Sequence, residues 1–388
     1  MSVEIAVASS LDADPLIAFE EAARTVADQL GGAPDLCVAF SGGSHLLQAE
    51  AALDCIHERL APRALIGCGA GGVVAGGREV EDGHAAVVWA ARMPGATITT
   101  HELDGEQGSE PEQIEGLPEP EVPADVIIVL ADPYTFAADS LLSRLNEERP
   151  GTPVLGGLAS ASVGGTSRLF IGDEVLSRGA VAVAISGVEV LPCVSQGAMP
   201  VGPEIAITEA DENVIHQLAF KPAMERIGEV VTALPAEERR AAVGGMLVGV
   251  TIDENQPEHE RGDFIVRPIV GADRESGAIA IGERVRVGQT IRLHVRDAAS
   301  ADADLREALA AQVGALGEGG PAGALLFTCN GRGSNMFDTS DHDATAIEEA
   351  LGVPCAGFFA AGEIGPVGGR NFLHGFTATL AVFGREGR

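Results

Sequence analysis

The residues best suited to chemistry lie in the last quarter of the chain: Cys329, Asn330, Gly331, Arg332 and Gly333, then Gly362, Glu363 and Ile364, then Asn371, His374 and Thr377. Arg332 stands between two glycines just past the apolar run ALLFT at 324–328. A guanidinium there can grip a carboxylate or phosphate through two parallel hydrogen bonds. The same residue could instead form a fold-holding ion pair with Glu363. Glu363 occupies a Gly-rich turn at a strand end, where binding residues concentrate. It or Asp338 could neutralise an ammonium group, so opposite charges on one rim would suit a zwitterion such as an amino acid. Cys329 and His374 also allow a nucleophile-and-base reading. No third residue presents itself to orient the base, and Cys329 could be a buried thiol and His374 a hydrogen-bonded structural histidine.

Other motifs carry less. Asp338, Asp341, His342 and Asp343 match no standard metal loop. Ser340 or Asp341 reads instead as the cap of a helix beginning near Ala344, with acidic residues suiting its first turn. Gly67, Gly69 and Gly72 spell G-x-G-x-x-G, but VVAGGREVEDG after them is not helical, so no helix N-terminus is offered to a pyrophosphate. There is no Walker A sequence, nucleophile elbow or H-E-x-x-H, and no cofactor is expected.

The positioning elements follow from hydrophobic periodicity. A helix is predicted over 15–30, capped by Asp14 with Pro15 in its first position. One pattern then recurs three times. A buried apolar run (36–40, 126–130, 324–328) leads to a polar or Gly-rich loop (41–45, 131–135, 329–335) and a helix. A second apolar piece (64–67, 153–157, 354–359), a Gly-rich turn and a last strand (85–91, 180–186, 376–383) follow. Gly67, Gly72 and His84 align with Gly357, Gly362 and His374 at one offset. The fold class is therefore α/β: mixed β-sheets with helices on the outer faces, built from repeated β-α-β-β units in two related domains. Acidic, Pro-rich 104–124 reads as a surface loop or linker. Residues 204–240 read as helical towards their end. Strands are expected at 245–252, 263–272 and 290–298, with turns at 254–262 and 273–277, and a helix over 302–313.

At 388 residues the chain should form two domains. A hydrophobic fraction of 46% with only 4% aromatic residues implies an aliphatic core. The formal net charge is −32, and Lys221 is the only lysine. Such a chain is repelled by phosphate backbones and anionic membrane surfaces, which excludes nucleic-acid and membrane partners. Six cysteines without a C-x-x-C pair argue against a zinc ribbon, and a core of this size needs no disulfides. The start has no charged signal region and no apolar stretch is long enough to span a bilayer. The expected compartment is the cytoplasm.

The stretches from Cys329 to Phe383 and from Gly245 to Leu305 resemble the C-terminal part of the FIST family, named for F-box and intracellular signal transduction proteins. ALIGCGAGGVV and PVLGGLASA are similar to its N-terminal part. The resemblance implies a strand and helix at 1–31 belonging to the first domain, a FIST N-terminal-like domain at 32–225 and a FIST C-terminal-like domain at 226–388. It also implies a sensory module for small ligands such as amino acids. No output module or F-box segment is recognised, so a separate signalling partner is expected. Glu363 keeps the polar residue of the family turn, whereas the N-terminal copy has Val73. Arg332, Glu363 and Asn371 are expected to converge on one concave site, joined by His374, Cys329 and Asp338. A less charged pocket is expected at Ser41, His45 and Cys68. On this reading Arg332→Ala changes stability by no more than about 0.5 kcal/mol. The alternatives are an enzyme using Cys329 and His374, and an interaction scaffold docking through 104–124.

Overall fold

Continuous apolar runs bounded by glycine set the architecture, because a strand covered on both faces has no polar side to show. The computed structural model describes residues 2–163, 165–256, 259, 262–316 and 319–387. It divides into two compact units, residues 1–195 with 305–388, and residues 196–304. The smaller unit is thus an insertion into the larger, a different division from a linear boundary at 225/226.

The larger unit opens with β1 (Glu4–Ser10), α1 (Pro15–Leu30), β2 (Leu36–Gly42), α2 (Ala49–Leu60) and β3 (Leu65–Ala70). A hairpin of β4 (Val73–Ala75) and β5 (Arg78–Val80) precedes β6 (Ala85–Arg92) and β7 (Thr97–Leu103). The second round is β8 (Val126–Ala131), α3 (Ala138–Glu148), β9 (Val154–Leu158), the hairpin β10 (Leu169–Ile171) and β11 (Glu174–Leu176), β12 (Ala180–Ser186) and β13 (Val188–Ser195). The smaller unit contributes β14 (Met199–Asp211), β15 (Val214–Leu218), β16 (Lys221–Pro222), α4 (Ala223–Ala233), α5 (Ala236–Gly244), β17 (Met246–Thr251), β18 (Phe264–Ala272), β19 (Ile279–Ile281) and β20 (Thr290–Val295). After α6 (Ala298–Ala315) come β21 (Pro321–Cys329), α7 (His342–Leu351), β22 (Cys355–Ala360), the hairpin β23 (Glu363–Val367) and β24 (Arg370–His374), and β25 (Ala378–Gly387).

The larger unit holds three six-stranded mixed sheets, ordered β1-β6-β2-β3-β10-β11, β7-β12-β8-β9-β23-β24 and β13-β25-β21-β22-β4-β5. In each, one central pair is parallel (β2 with β3, β8 with β9, β21 with β22) and the remaining pairs are antiparallel. Each hairpin leaves the sheet of its preceding strand and extends another. β4–β5 pairs with β22, β10–β11 with β3, and β23–β24 with β9.

Alternate residues of the sheets meet in one central core. Phe40 and Trp89 come from the first sheet, Ile128 and Val183 from the second, and Phe327, Phe358 and Phe383 from the third. Phe40 meets Phe358, and Trp89 meets Phe383, each at 5.1 Å between rings, a favourable offset separation. The opposite faces are covered by helices: α1 and α2 through Phe19, Val26, Leu53 and Ile56, α3 through Leu141 and Leu145, and α6 and α7 through Leu305, Leu309 and Ile347. α1 starts and stops where expected. The Asp14 carboxylate accepts from Leu16 N (2.9 Å), and Gly31 closes the helix at φ +64.

Two expectations change and one is refined. Residues 104–124 lie mostly at the surface, as a loop should, but are tied down: Asp104 pairs with Glu115, Ile114 is buried, and Arg149 donates to the carbonyls of Pro118, Glu119 and Val122. A guanidinium with several carbonyl partners fixes a loop that composition alone would leave free. The helix expected near Ala344 begins at His342, and Asp341 does not cap it. Asp341 sits in the left-handed region (φ +59) and its Oδ1 accepts from Glu79 N (2.6 Å). Glu79 Oε1 accepts from Ala344 N (2.9 Å) instead, so the helix is capped by the hairpin strand β5 at the edge of the sheet it covers. His84 precedes β6, whereas His374 ends β24, so the two histidines occupy different places in their units. The turn expected at 254–262 lies partly outside the described residues.

Candidate functional site

β21 ends at Cys329, and a short 3-10 turn over Gly333–Asn335 carries the chain towards α7. Arg332 turns inward and is 0% exposed. Its Nε donates to Asp343 Oδ2 (2.7 Å) and its Nη2 to Asp343 Oδ1 (2.8 Å). The guanidinium lies over the Phe337 ring (5.3 Å), which stacks on His342 at 3.4 Å. Asp343 also accepts from Thr328 Oγ1 (2.7 Å) and His342 Nδ1 (2.9 Å). Burial alone would raise its pKa, but the Arg332 charge and these donors hold its carboxyl well below the usual range. The bidentate grip expected of Arg332 therefore exists, with Asp343 as the carboxylate.

Glu363 opens β23, in register with Gly157 of β9 and His374 of β24. It is 0% exposed. Its Oε2 accepts from Thr377 N (3.0 Å) and Thr377 Oγ1 (2.7 Å), while Oε1 meets no N–H or O–H donor among the described residues. Burial pushes its carboxyl up to about 7, against the lowering influence of Thr377, the Cys329 thiol and the Arg332 charge. Cys329 is pushed up to about 12, first by burial and then by the Glu363 charge. At neutral pH it is a thiol and a poor nucleophile.

The turns after the three parallel pairs interlock beside Glu363. Leu158 N donates to Gly362 O (2.8 Å) and Ala361 N to Leu158 O (3.0 Å). Phe359 N donates to Gly72 O (2.9 Å), Gly71 N to Ser160 Oγ (2.8 Å), and Ser160 Oγ to Phe359 O. The sequence around Gly72 thus enters a strand, β4, and forms no helix N-terminus.

The expected convergence is partial. Arg332, Cys329 and Glu363 are brought together. Asn371 is not among them: its Oδ1 accepts from Val154 N (2.8 Å) and its Nδ2 donates to Asn146 Oδ1 (3.1 Å) and Thr152 O (3.0 Å), clamping the link from α3 to β9. His374 Nε2 donates to Gly365 O across the hairpin (3.0 Å). Asp338 is exposed on the loop. In the first sheet, His45 Nε2 donates to Asp12 O (2.8 Å) and its ring faces Phe19, whereas Cys68 belongs to the central core. Ser41 is buried on β2.

Glu79 and Glu81 have no counterpart in the sequence reading. Besides capping α7, Glu79 is pushed by burial up to about 7. Glu81 accepts from Ser334 N (2.9 Å) and Ser334 Oγ (2.6 Å). Glu79 lies on β5 and Glu81 just past its end, and this pair of acidic residues two apart in a Gly-rich turn region was the available signal. Among the described residues no group of three His, Cys, Asp or Glu is arranged to hold a metal, and no helix is long and apolar enough to cross a membrane.

Comparison with known families gives matches to the FIST N domain over residues 35–221 and the FIST C domain over residues 223–366. Uncharacterized protein Rv0628c of Mycobacterium tuberculosis is 43% identical over 384 residues, covering 98% of this chain and 100% of the relative. Uncharacterized protein Mb0898c of Mycobacterium bovis is 42% identical over 386 residues, covering 99% of each. This chain belongs to the FIST family, whose domains are sensory domains of signal transduction.

Proposed function

From that membership we propose that this protein is a small-ligand-binding sensory protein of intracellular signalling, that its ligand is an amino-acid-like metabolite, and that Glu363 recognises the ligand's ammonium group. The observation that carries the reading is a fully buried carboxyl with a pKa of about 7 and one oxygen that meets no N–H or O–H donor. Such perturbed groups cluster at functional sites. An ammonium brought to Oε1 supplies the missing partner and favours the ionised carboxylate. Arg332, committed to Asp343, acts as a positioning residue. A separate partner in the cytoplasm receives the signal.

A thermal-shift screen of amino acids and related amines tests this. A ligand at a hundred times its dissociation constant stabilises the fold by about 2.7 kcal/mol. Glu363 carries a proton below about 7, so binding releases that proton and affinity weakens as pH falls through this value. Glu363→Gln removes the response. If no amino acid or amine shifts unfolding, or the shift survives in Glu363→Gln, the assignment fails.

A further inference from the structure

The unit formed by residues 196–304 carries a cleft of about 370 Å³, separate from the site above. Its apolar lining includes Val230 and Leu234, at and just past the end of α4, and Pro203. Pro203 is held there by a bulge. The register of β14 against β20 slips between Val201 and Ile205, which lifts the intervening residues out of the ladder. Gly202 takes φ +64, and a Cβ on it would lie 2.7 Å from Val230 Cγ1, so only glycine lets the bulge close against α4. Arg292 Nε pins the bulge through Gly202 O (3.0 Å).

Arg226 lies one helical turn before Val230, lines the cleft and is a third exposed. Its Nη1 donates to Glu229 Oε2 (3.0 Å), and its Nε meets no acceptor among the described residues. Glu229 also receives Lys221 Nζ, so its charge is shared between two cations. Two other arginines show what this guanidinium edge accepts. Arg332 presents Nε and Nη2 to Asp343, and Arg267 presents Nε (3.0 Å) and Nη2 (2.9 Å) to Glu283. On Arg226 the corresponding edge holds no carboxylate of the described residues.

We propose that this cleft binds a small amphipathic monocarboxylate, with its apolar body on Val230, Leu234 and Pro203 and its carboxylate on the Nε/Nη2 edge of Arg226. An unmade hydrogen bond from a buried donor is a standing cost, and a charged acceptor removes it best. The apolar lining supplies affinity through methylene burial. Glu238, also on the lining, repels any carboxylate in the cleft, so only one that is neutralised on Arg226 is tolerated and a second is disfavoured further. The volume falls in the range of small-ligand sites.

Calorimetric titration of the full chain with butanoate, hexanoate and octanoate, and with octan-1-ol and octylamine, tests the proposal. Octanoate binds with one-to-one stoichiometry, and affinity rises about fourfold per added methylene. R226Q weakens octanoate at least about tenfold. A233W, which fills the cleft from an exposed position of α4, removes binding. E238Q strengthens it severalfold, and E363Q leaves it unchanged, which separates this site from the amine site above. No octanoate binding at millimolar concentration, octan-1-ol or octylamine binding as tightly as octanoate, or full affinity in R226Q overturns the proposal. Loss of binding in E363Q does so as well.

Discussion

Arg332→Ala is the sharpest test of how the larger unit is held. A surface-loop reading allows a change of about 0.5 kcal/mol. The structure makes Arg332 and Asp343 a buried pair, 0% and 1% exposed. Removing one partner strands the other charge, which costs about 3–5 kcal/mol. Trp89 is the only tryptophan, and it is fully buried in the same unit, so urea unfolding followed by its fluorescence reports this loss directly. The pH dependence fixes the cause. In the native protein the Asp343 carboxyl is depressed. Its contribution is present above its unfolded value of roughly 3.9 and is lost as pH falls through the lower folded value. Without Arg332, burial is opposed only by the Thr328 and His342 donors, so the carboxyl rises and takes up a proton more readily as pH falls. The deficit of Arg332→Ala therefore shrinks from pH 7 to pH 5. A loss under about 1 kcal/mol at pH 7, or a deficit that grows on acidification, would refute the buried-pair account.

Glu363 has the opposite sign. Its folded pKa is raised from 4.5 to about 7, so its penalty is absent below its unfolded value and develops as pH rises through about 7, reaching about 3 kcal/mol. Glu363→Gln flattens the stability profile between pH 5 and 8, leaving the share due to Glu79; an unchanged slope counts against this. Iodoacetamide at pH 8 followed by peptide mass analysis labels half-buried Cys55 first and spares Cys329, which is 8% exposed with a thiol pushed up to about 12; equal rates would restore a reactive Cys329. Gly357→Ala places a Cβ 2.0 Å from Leu326 O and costs about 1–3 kcal/mol. Gly314→Ala in α6 meets nothing within 4 Å and stabilises by about 0.5–1 kcal/mol; chemical denaturation of both variants checks the contrast.

What the sequence shows is what lies within one strand or one helix turn. The runs at 36–40, 126–130 and 324–328 become β2, β8 and β21 because continuous apolar residues need cover on both faces. Asp14, Pro15 and Gly31 bound α1 by local backbone chemistry alone. Gly67 and Gly357 stand out because a Cβ on either would lie only 2.1 and 2.0 Å from a carbonyl oxygen of the adjacent parallel strand. The partner of Arg332 was not legible, since Asp343 is equally acceptable as a first-turn acidic residue until the chain folds back. Glu79 reaches Ala344 across 265 residues, and no local pattern announces that pairing. The insertion of 196–304 was hidden for the same reason. Its strands look like any others, and only their partners show that they form a separate sheet.

The exchanged hairpins explain why one buried carboxyl can matter to the whole larger unit. By chain order Glu363 follows β22, yet its ladder partner is Gly157 of β9 in the second sheet. Its side chain turns to Thr377, immediately before β25 of the third sheet, and Cys329 beside it ends β21. Thr377 O in turn accepts from Cys329 N (3.0 Å). A gain or loss of charge on Glu363 therefore acts at once on a strand pairing in one sheet and on two strand ends in another. Phe359, near the end of β22 that leads to it, is bonded to Gly72 and Ser160, just past β3 and β9. Close-packed interiors do not absorb such a change locally, because neighbouring side chains have no free volume to take it up. Under the ligand reading proposed above, a change of charge on Glu363 is therefore expected to strain the fit of both sheets, and a ligand that binds one charge state better shifts the balance between those states.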